Sequence, residues 1–304
     1  MRLLAKSDNF WRDAVALNGA ATPYVVRRVL IFGAFAGLVL GIDHALDHKP
    51  ELEIAVAPYE VAGAALGLLL VLRTNAGYDR WWEARKLWGG VVNRCRHLAV
   101  VAAAYGPDED GWRRGLLGWA AAFPHVARTS LRGECAPPEL DSLIGSPAAQ
   151  EIEAARNRPL AVAVKIGDLL RTGREMGMDR AAFLQADEDL VALLDYIGGC
   201  ERILKTPLPR SYAIQIRRFI VIFLLSLPFA LLTRVGSLTP LATMLAAYPL
   251  LALDKIGDDI QDPFSPRNLD FLPLDAIARS IQDDLMDLAR RVPGQGRTEI
   301  RRPA

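Results

Sequence analysis

Cysteine is scarce and scattered. The three in this chain, Cys95, Cys135 and Cys200, lie far apart and form no CxxC pair. That excludes a disulfide framework and a cysteine zinc site, and it fits a reducing cytoplasm around the polar part of the chain. Histidine is equally sparse. His44, His48, His97 and His125 make no HExxH motif; His44 and His48 are spaced for one helical face but read as a helix end or loop. An excess of either charge is also missing, with 36 basic against 35 acidic residues. A nucleic-acid partner normally announces itself by a basic stripe, so none is expected. There is no GxSxG, no Walker-type phosphate loop and no paired His/Glu metal motif, so the reading is not an enzyme. The first residues, MRLLAKSDNFWRDAVALNG, lack the apolar h-region of a signal peptide, and none is expected. Period-two alternation, internal repeats and low-complexity tracts are wanting too, which leaves an all-α reading. No unbroken apolar run reaches the roughly 20 residues that span a bilayer comfortably.

What is present is a segregation of apolar and charged residues. Four apolar stretches stand out, at 29–42, 61–72, 219–233 and 238–253. They could be buried helices of a soluble protein, but they come as two pairs with short connections, and arginine sits at the same topological end of each pair. Arg27 and Arg28 precede the first stretch; Arg73, Arg80, Arg85 and Lys86 follow the second. Arg210, Arg217 and Arg218 precede the third, and Lys255 follows the fourth. The connection after the first stretch carries a single basic residue, Lys49. The positive-inside rule then places both termini and the middle region in the cytoplasm of a bacterial inner-membrane protein. Short spans are accommodated by tilt, by interfacial residues, or by facing water. The expected organisation is a cytosolic segment 1–28, a membrane pair 29–73, a cytosolic helical domain 74–210, a second pair 211–254, and a C-terminal segment 255–304 ending in a disordered basic tail. Within the middle region, three- and four-residue periodicity predicts helices over 91–104, 112–131, 148–174 and 180–200, with Leu190, Leu193, Leu194 and Ile197 as one stripe. GPDEDG, GECAPP, GMD and TPLP are the turn signals between them.

The stretch LRTNAGYDRWWEARKLWGG, residues 72–90, holds three of the six tryptophans at the foot of the second apolar run. On a helix, Trp81, Arg85, Trp88 and Val92 are spaced for one face, and Arg80, Glu83 and Lys86 for local ion pairs. Tryptophan and tyrosine suit a membrane–water boundary. The local reading is a membrane helix that continues into a cytosolic one through an aromatic belt.

This stretch resembles the signature of the bestrophin family, in its prokaryotic branch. GGCERILKTPLPRSYAIQIRRF (198–219) and DDIQDPFSPRNLDFLPLDAIARSI (258–281) resemble two further family segments, in the same order. The resemblance implies a homopentameric channel, each subunit with four transmembrane helices and a helical cytosolic domain around a central pore. By the same resemblance Ala64, Leu68 and Leu72 line an apolar pore neck, Leu208 forms a cytosolic aperture, and Arg73, Asp79, Arg80, Trp81, Trp82 and Glu83 belong to the family signature and its interfaces. The neck positions are four residues apart, so they can share one helical face; without the resemblance, core packing would explain them. Two departures matter. Ala64 is small where relatives often carry a bulkier residue. The family's eukaryotic calcium clasp needs an acidic cluster, whereas QDPF here is followed by Ser265, Pro266, Arg267 and Asn268, with an acid only at Asp270. Calcium takes about 6–8 oxygen ligands, so no calcium clasp and no other cofactor is expected. Asp258, Asp259 and Asp262 read as ion-pair or capping groups. Asp283, Asp284 and Asp287 read as the solvated face of an amphipathic helix carrying Ile281, Leu285 and Leu288.

The implied activity is passive conduction of small ions, chloride and other anions first, with a monovalent-cation (sodium) channel of the same fold as the alternative. A membrane-anchored scaffold or signalling subunit is the reading from another class. Partners on this view are further copies of the chain, membrane lipids and permeant inorganic ions.

Overall fold

Apolar residues at helical spacing dominate this chain, and the computed structural model is correspondingly helical, with no strand among the described residues. It describes residues 11, 16, 19–46 and 56–291. The amphipathic N-terminal stretch 2–13 (apart from Trp11), His48, Lys49 and the basic tail 293–304 lie outside them. The helices are α1 (Thr22–Ala45), α2 (Ala57–Ala104), α3 (Asp110–Arg132), α4 (Glu139–Ile144), α5 (Ser146–Ala154), α6 (Arg158–Glu175), α7 (Arg180–Lys205), α8 (Arg210–Val235), α9 (Thr239–Asp259) and α10 (Leu274–Arg291).

Three helical stretches are long and apolar enough to cross a membrane: Thr22–Ala45, Ala57–Ala104 and Arg210–Asp259. The third contains α8 and α9, joined by the 3₁₀ turn Gly236–Leu238. The chain is a membrane protein on this ground. α2 is one unbroken helix of 48 residues. At ~1.5 Å per residue it is about 72 Å long, more than twice the ~30 Å hydrocarbon core.

Helix ends are set by local chemistry. Asp179 accepts hydrogen bonds from Ala181 N (2.7 Å) and Ala182 N to start α7. Glu109 caps α3 through Gly111 N at 3.0 Å. Gly133, at φ 67°, closes α3 in the left-handed conformation that a side chain disfavours. GPDEDG, GECAPP, GMD and TPLP all fall at these breaks. One predicted helix is corrected: residues 148–174 form two helices, not one. Asn157 accepts from Leu160 N at 3.1 Å, and Pro159 follows in the first turn of α6. A cap and a proline restart the helix there despite continuing periodicity.

The chain forms two compact units, one from Met1–Trp81 with Pro207–Phe271 and one from Trp82–Thr206 with Leu272–Ala304. In the first, Val25, Val29 and Phe32 of α1, Leu66 and Leu70 of α2, Ile220 and Leu224 of α8, and Ala247 and Leu251 of α9 make a single apolar core. Gly33 lets α9 lie close to α1: a Cβ there would come within 2.6 Å of the Met244 side chain. In the second unit α3 is the central helix, packed against α4, α6, α7 and α10.

Candidate functional site

The first half of α2 has two faces of different character. Leu66, Leu70 and Arg73 point into the core of the first unit. Ala64, Leu68 and Leu72 lie together on the other side and are exposed, Leu68 at 61% and Leu72 at 51%. The isolated chain thus leaves two leucines open on a helix whose opposite face is well packed. Leu208 is half-buried in the loop that leads into α8.

Immediately below Leu72, the chain buries a charged lattice. Arg73 is 2% exposed and donates to Asp254, and its Nη2 donates to Asp258 Oδ1 at 3.0 Å. Arg217 donates through Nε to Asp254 Oδ2 at 3.0 Å, and its Nη2 lies 3.0 Å from Asp258 Oδ1. Gln261 donates to Asp258 at 3.0 Å as well. Two guanidinium groups face two carboxylates, and burial of the Arg73–Asp254 pair strengthens that charge-assisted bond. The close approach depends on Gly77, where a Cβ would come within 2.7 Å of Ile260. Arg217 and Asp254 were not singled out as a pair from sequence. The signal was there: Asp254 is the first charge after the last apolar stretch, and Asp258 follows it by one helical turn.

The rest of the signature stretch is tied to the loop after α9. Arg80 Nε donates to Gln261 O at 3.2 Å, and Trp81 Nε1 donates to Asp270 O at 2.7 Å. Tyr78 stacks on Trp81 at 6.2 Å between centroids. Asn268 Nδ2 closes the same loop onto Asp259 O (3.2 Å) and Asp262 O (2.8 Å), and Lys255 holds Asp259 at 2.5 Å. Burial, then the Asp259 charge, raise the Asp270 carboxyl above the usual range. Asp79 and Trp82 are exposed.

Two readings of this stretch change. Trp81, Arg85 and Trp88 do not share one environment: Trp88 is fully buried in the second unit while Arg85 is exposed. A three-residue step turns the helix by about −60°, enough to cross from solvent to core at the edge of a face. Glu83 accepts from Arg202, at 2.6 Å across the sequence, instead of from Lys86. Both belong to the second unit, as do Leu87 and Gly199, where a Cβ would sit 2.9 Å from the leucine.

In the second unit, α3 and α10 meet through Asp275, which accepts from Arg128 and from Arg132 at 2.9 Å. Burial opposes its ionisation, but the two arginines outweigh that and hold its carboxyl below the usual range. Asp284 of α10 pairs with Arg96 at 2.5 Å, so this acid is not only a solvated group. Asp189 is buried between Arg94 (2.7 Å) and His97 (2.5 Å). His125 is wholly buried, and among the described residues neither ring nitrogen has a hydrogen-bond partner. Burial lowers its pKa despite the Glu139 carboxylate 4.0 Å away. Among the described residues no group of three or more His, Cys, Asp and Glu side chains is placed to hold a metal ion.

A family model described as Bacterial/Fungal Bestrophin protein matches residues 2–287. The chain belongs to the bestrophin family. Among bestrophin relatives, a voltage-dependent anion channel-forming protein of Ralstonia nicotianae is 32% identical over 284 residues, covering 92% of each chain. The voltage-dependent anion channel-forming protein YneE of Escherichia coli K12 is 31% identical over 288 residues, covering 94% of each. A crystal structure of a bacterial bestrophin homologue from Klebsiella pneumoniae superposes with a TM-score of 0.79 at 27% identity, covering 88% of this chain and all of that one. A variant of the same homologue gives 0.81 at 26% identity. The three stretches that carry the bestrophin resemblance are thus the ones whose side chains meet: 72–90 with 258–281 in the first unit, and 72–90 with 198–219 in the second.

Proposed function

We propose that the chain assembles as a homopentamer around an axis faced by α2, and that the assembly conducts small anions, chloride foremost, passively across the bacterial inner membrane. In this reading α1, α2, α8 and α9 are the four transmembrane helices, and the termini and the second unit are cytoplasmic. The observation that carries it is the face of α2 that holds Ala64, Leu68 and Leu72. It is apolar, exposed in the single chain and opposite a finished core, so the fold leaves it for something other than its own packing. Rings of these residues make an apolar collar, which admits or excludes ions according to its width and wetting. Leu208 narrows the passage again on the cytosolic side. Ala64 widens the outer end of the collar.

The sign of the permeant ion is supported by the names of the relatives, which are described as anion channel-forming. The neck carries no charge of its own. At its inner end Arg73 donates to Asp254, and at its outer end Glu60, one helical turn before Ala64, is exposed. Few acids at the end of α9 and in the loop after it are spare for calcium: Asp258, Asp259 and Asp262 are engaged by Arg73 and Arg217, by Lys255, and by Phe264 N respectively, which leaves Asp270. Conduction independent of calcium follows.

The test is the reversal potential of the purified protein in liposomes under asymmetric potassium chloride. Reversal near the chloride equilibrium supports the proposal. Reversal at the cation equilibrium makes this a cation channel of the same fold. Flux absent from both wild type and Leu68→Ala leaves the membrane-anchored scaffold.

A further inference from the structure

Conduction as described leaves one groove unused. It lies among α1, α8 and α9 and encloses about 610 Å³. Ile31, Phe32, Val221 and Leu251 give it apolar walls, and Arg28, Arg217 and Lys255 gather at one end. The acids at that end are already spent. Asp254 accepts from Arg73 and Arg217, and Asp258 from Arg73, Arg217 and Gln261. Lys255 is spent too, with Nζ 2.5 Å from Asp259 and 4.8 Å from the centre of the Tyr24 ring. Arg28 is different. It is exposed on the groove and has no hydrogen bond or ion pair among the described residues. Arg217 has 47% of its side chain exposed, and its ion pairs use Nε and Nη2, so Nη1 has no protein partner among the described residues.

The groove therefore presents one guanidinium, Arg28, with no carboxylate partner among the described residues, beside the outward Nη1 edge of Arg217, whose charge Asp254 and Asp258 share, and walls that offer only hydrocarbon contact. A small hydrated anion would answer the charged end and leave the walls bare. An amphiphile with an anionic head answers both. Arg27, Arg28, Arg217, Arg218 and Lys255 mark this as the cytoplasmic end of the helices. Basic clefts between membrane helices at that level take anionic lipid headgroups.

We infer that this groove binds an anionic phospholipid of the phosphatidylglycerol class from the inner leaflet. Its phosphate bridges Arg28 and Nη1 of Arg217, and the start of an acyl chain lies over Ile31 and Val221. The inference rests on the membrane placement of α1, α8 and α9 proposed above, and not on conduction.

Native mass spectrometry of the full chain with equimolar phosphatidylglycerol and phosphatidylcholine tests it. Wild type should retain the anionic lipid about fivefold more, the ratio that corresponds to one cationic contact near a charged headgroup. Arg28→Gln should bring the ratio to near unity, while Arg28→Lys and Arg27→Gln keep it; Arg27 is exposed but does not line the groove. Val221→Phe, which fills the groove and keeps every charge, should also abolish the preference, so the test survives a poorly folded Arg28→Gln. Equal retention of the two lipids by wild type overturns the site. So does a loss shared equally by Arg27→Gln, which would mean diffuse surface charge. Inorganic phosphate that binds with the same Arg28 dependence while the lipid shows none would make this a free-anion site and overturn the lipid. A chain recovered in the supernatant of alkaline-washed membranes would instead overturn the membrane placement; a membrane-bound chain without lipid preference overturns the site alone.

Discussion

At the scale of single residues, Arg73 gives the family signature a physical meaning. It lies one position beyond Leu72, about 100° further round the helix, and is turned into the core. It ties α2 to α9 at the level where the apolar face ends. Removing it leaves Asp254, whose side chain is 4% exposed, with only the half-exposed Arg217 as partner. Arg73→Ala should therefore cost about 3 kcal/mol, the low end for breaking a buried pair. The double substitution Arg73→Met with Asp254→Leu should recover much of it, because an apolar pair of similar volume leaves no charge uncompensated. Thermal unfolding in detergent measures both. The cysteines offer a second check. Cys135 is exposed, whereas Cys95 and Cys200 are buried. Burial first, then the Glu83 and Glu201 charges, push the Cys200 thiol up to about 12. The thiolate is the reactive form, so a maleimide should label Cys135 alone in the folded protein and all three cysteines after denaturation. Both partners of the Arg73 lattice were visible in the sequence as charges beside apolar runs. That they meet was not, because Arg73 and Asp254 are 181 residues apart.

At the scale of elements, α3 is the helix on which the second unit depends. Gly118 sits where a Cβ would come within 2.6 Å of the Leu143 carbonyl oxygen. Backbone cannot swing aside as a side chain can, so Gly118→Ala should destabilise the unit by about 1–3 kcal/mol, the range for overpacking a close contact. Gly33→Ala, which meets only the flexible Met244 side chain, should cost less. The same unfolding measurement ranks the two. The α3–α10 contact should also respond to pH, in two windows. His125 is faced by Glu139 of α4, by Arg128 of its own helix, and by Gln282 and Arg279 of α10. Burial lowers its folded pKa below the unfolded value of 6.5. The unfolded chain then binds the proton more readily, so stability is greatest above pH 6.5 and falls as the pH drops below it. His125→Gln should remove that loss. Asp275 has a folded pKa below its unfolded 3.8, so its contribution is complete above about pH 4 and is lost as the pH falls further. Hydrogen exchange on the amides of α3 and α10 separates the windows. Most of these helices were legible from periodicity and turn signals. The break between α5 and α6 was missed, since the apolar spacing runs on through it and only the Asn157 cap with Pro159 interrupts the backbone.

At the scale of the whole molecule, the exposed face of α2 distinguishes two kinds of surface. A face turned to water tolerates a polar residue; a face packed against a neighbouring copy does not. Leu68→Ser should therefore leave assembly and thermal stability nearly unchanged while it widens and wets the collar, raising ion flux several-fold. Loss of the oligomer in size-exclusion chromatography, with flux abolished, would show instead that Leu68 is buried between subunits. Ala64→Leu should act in the opposite direction, narrowing the outer end and lowering flux.

The sequence by itself determined the helical class, the apolar spans and the family, because these rest on local signals: spacing along one helix, the length of apolar runs, and short contiguous motifs. Tertiary structure alone decided which charges cancel and which stay free. Asp254 is claimed by two arginines from different helices, Glu83 by an arginine 119 positions away, and Arg28 by none among the described residues. Those outcomes depend on which helix faces meet in space, and pairings over such separations leave no periodic trace in a single chain.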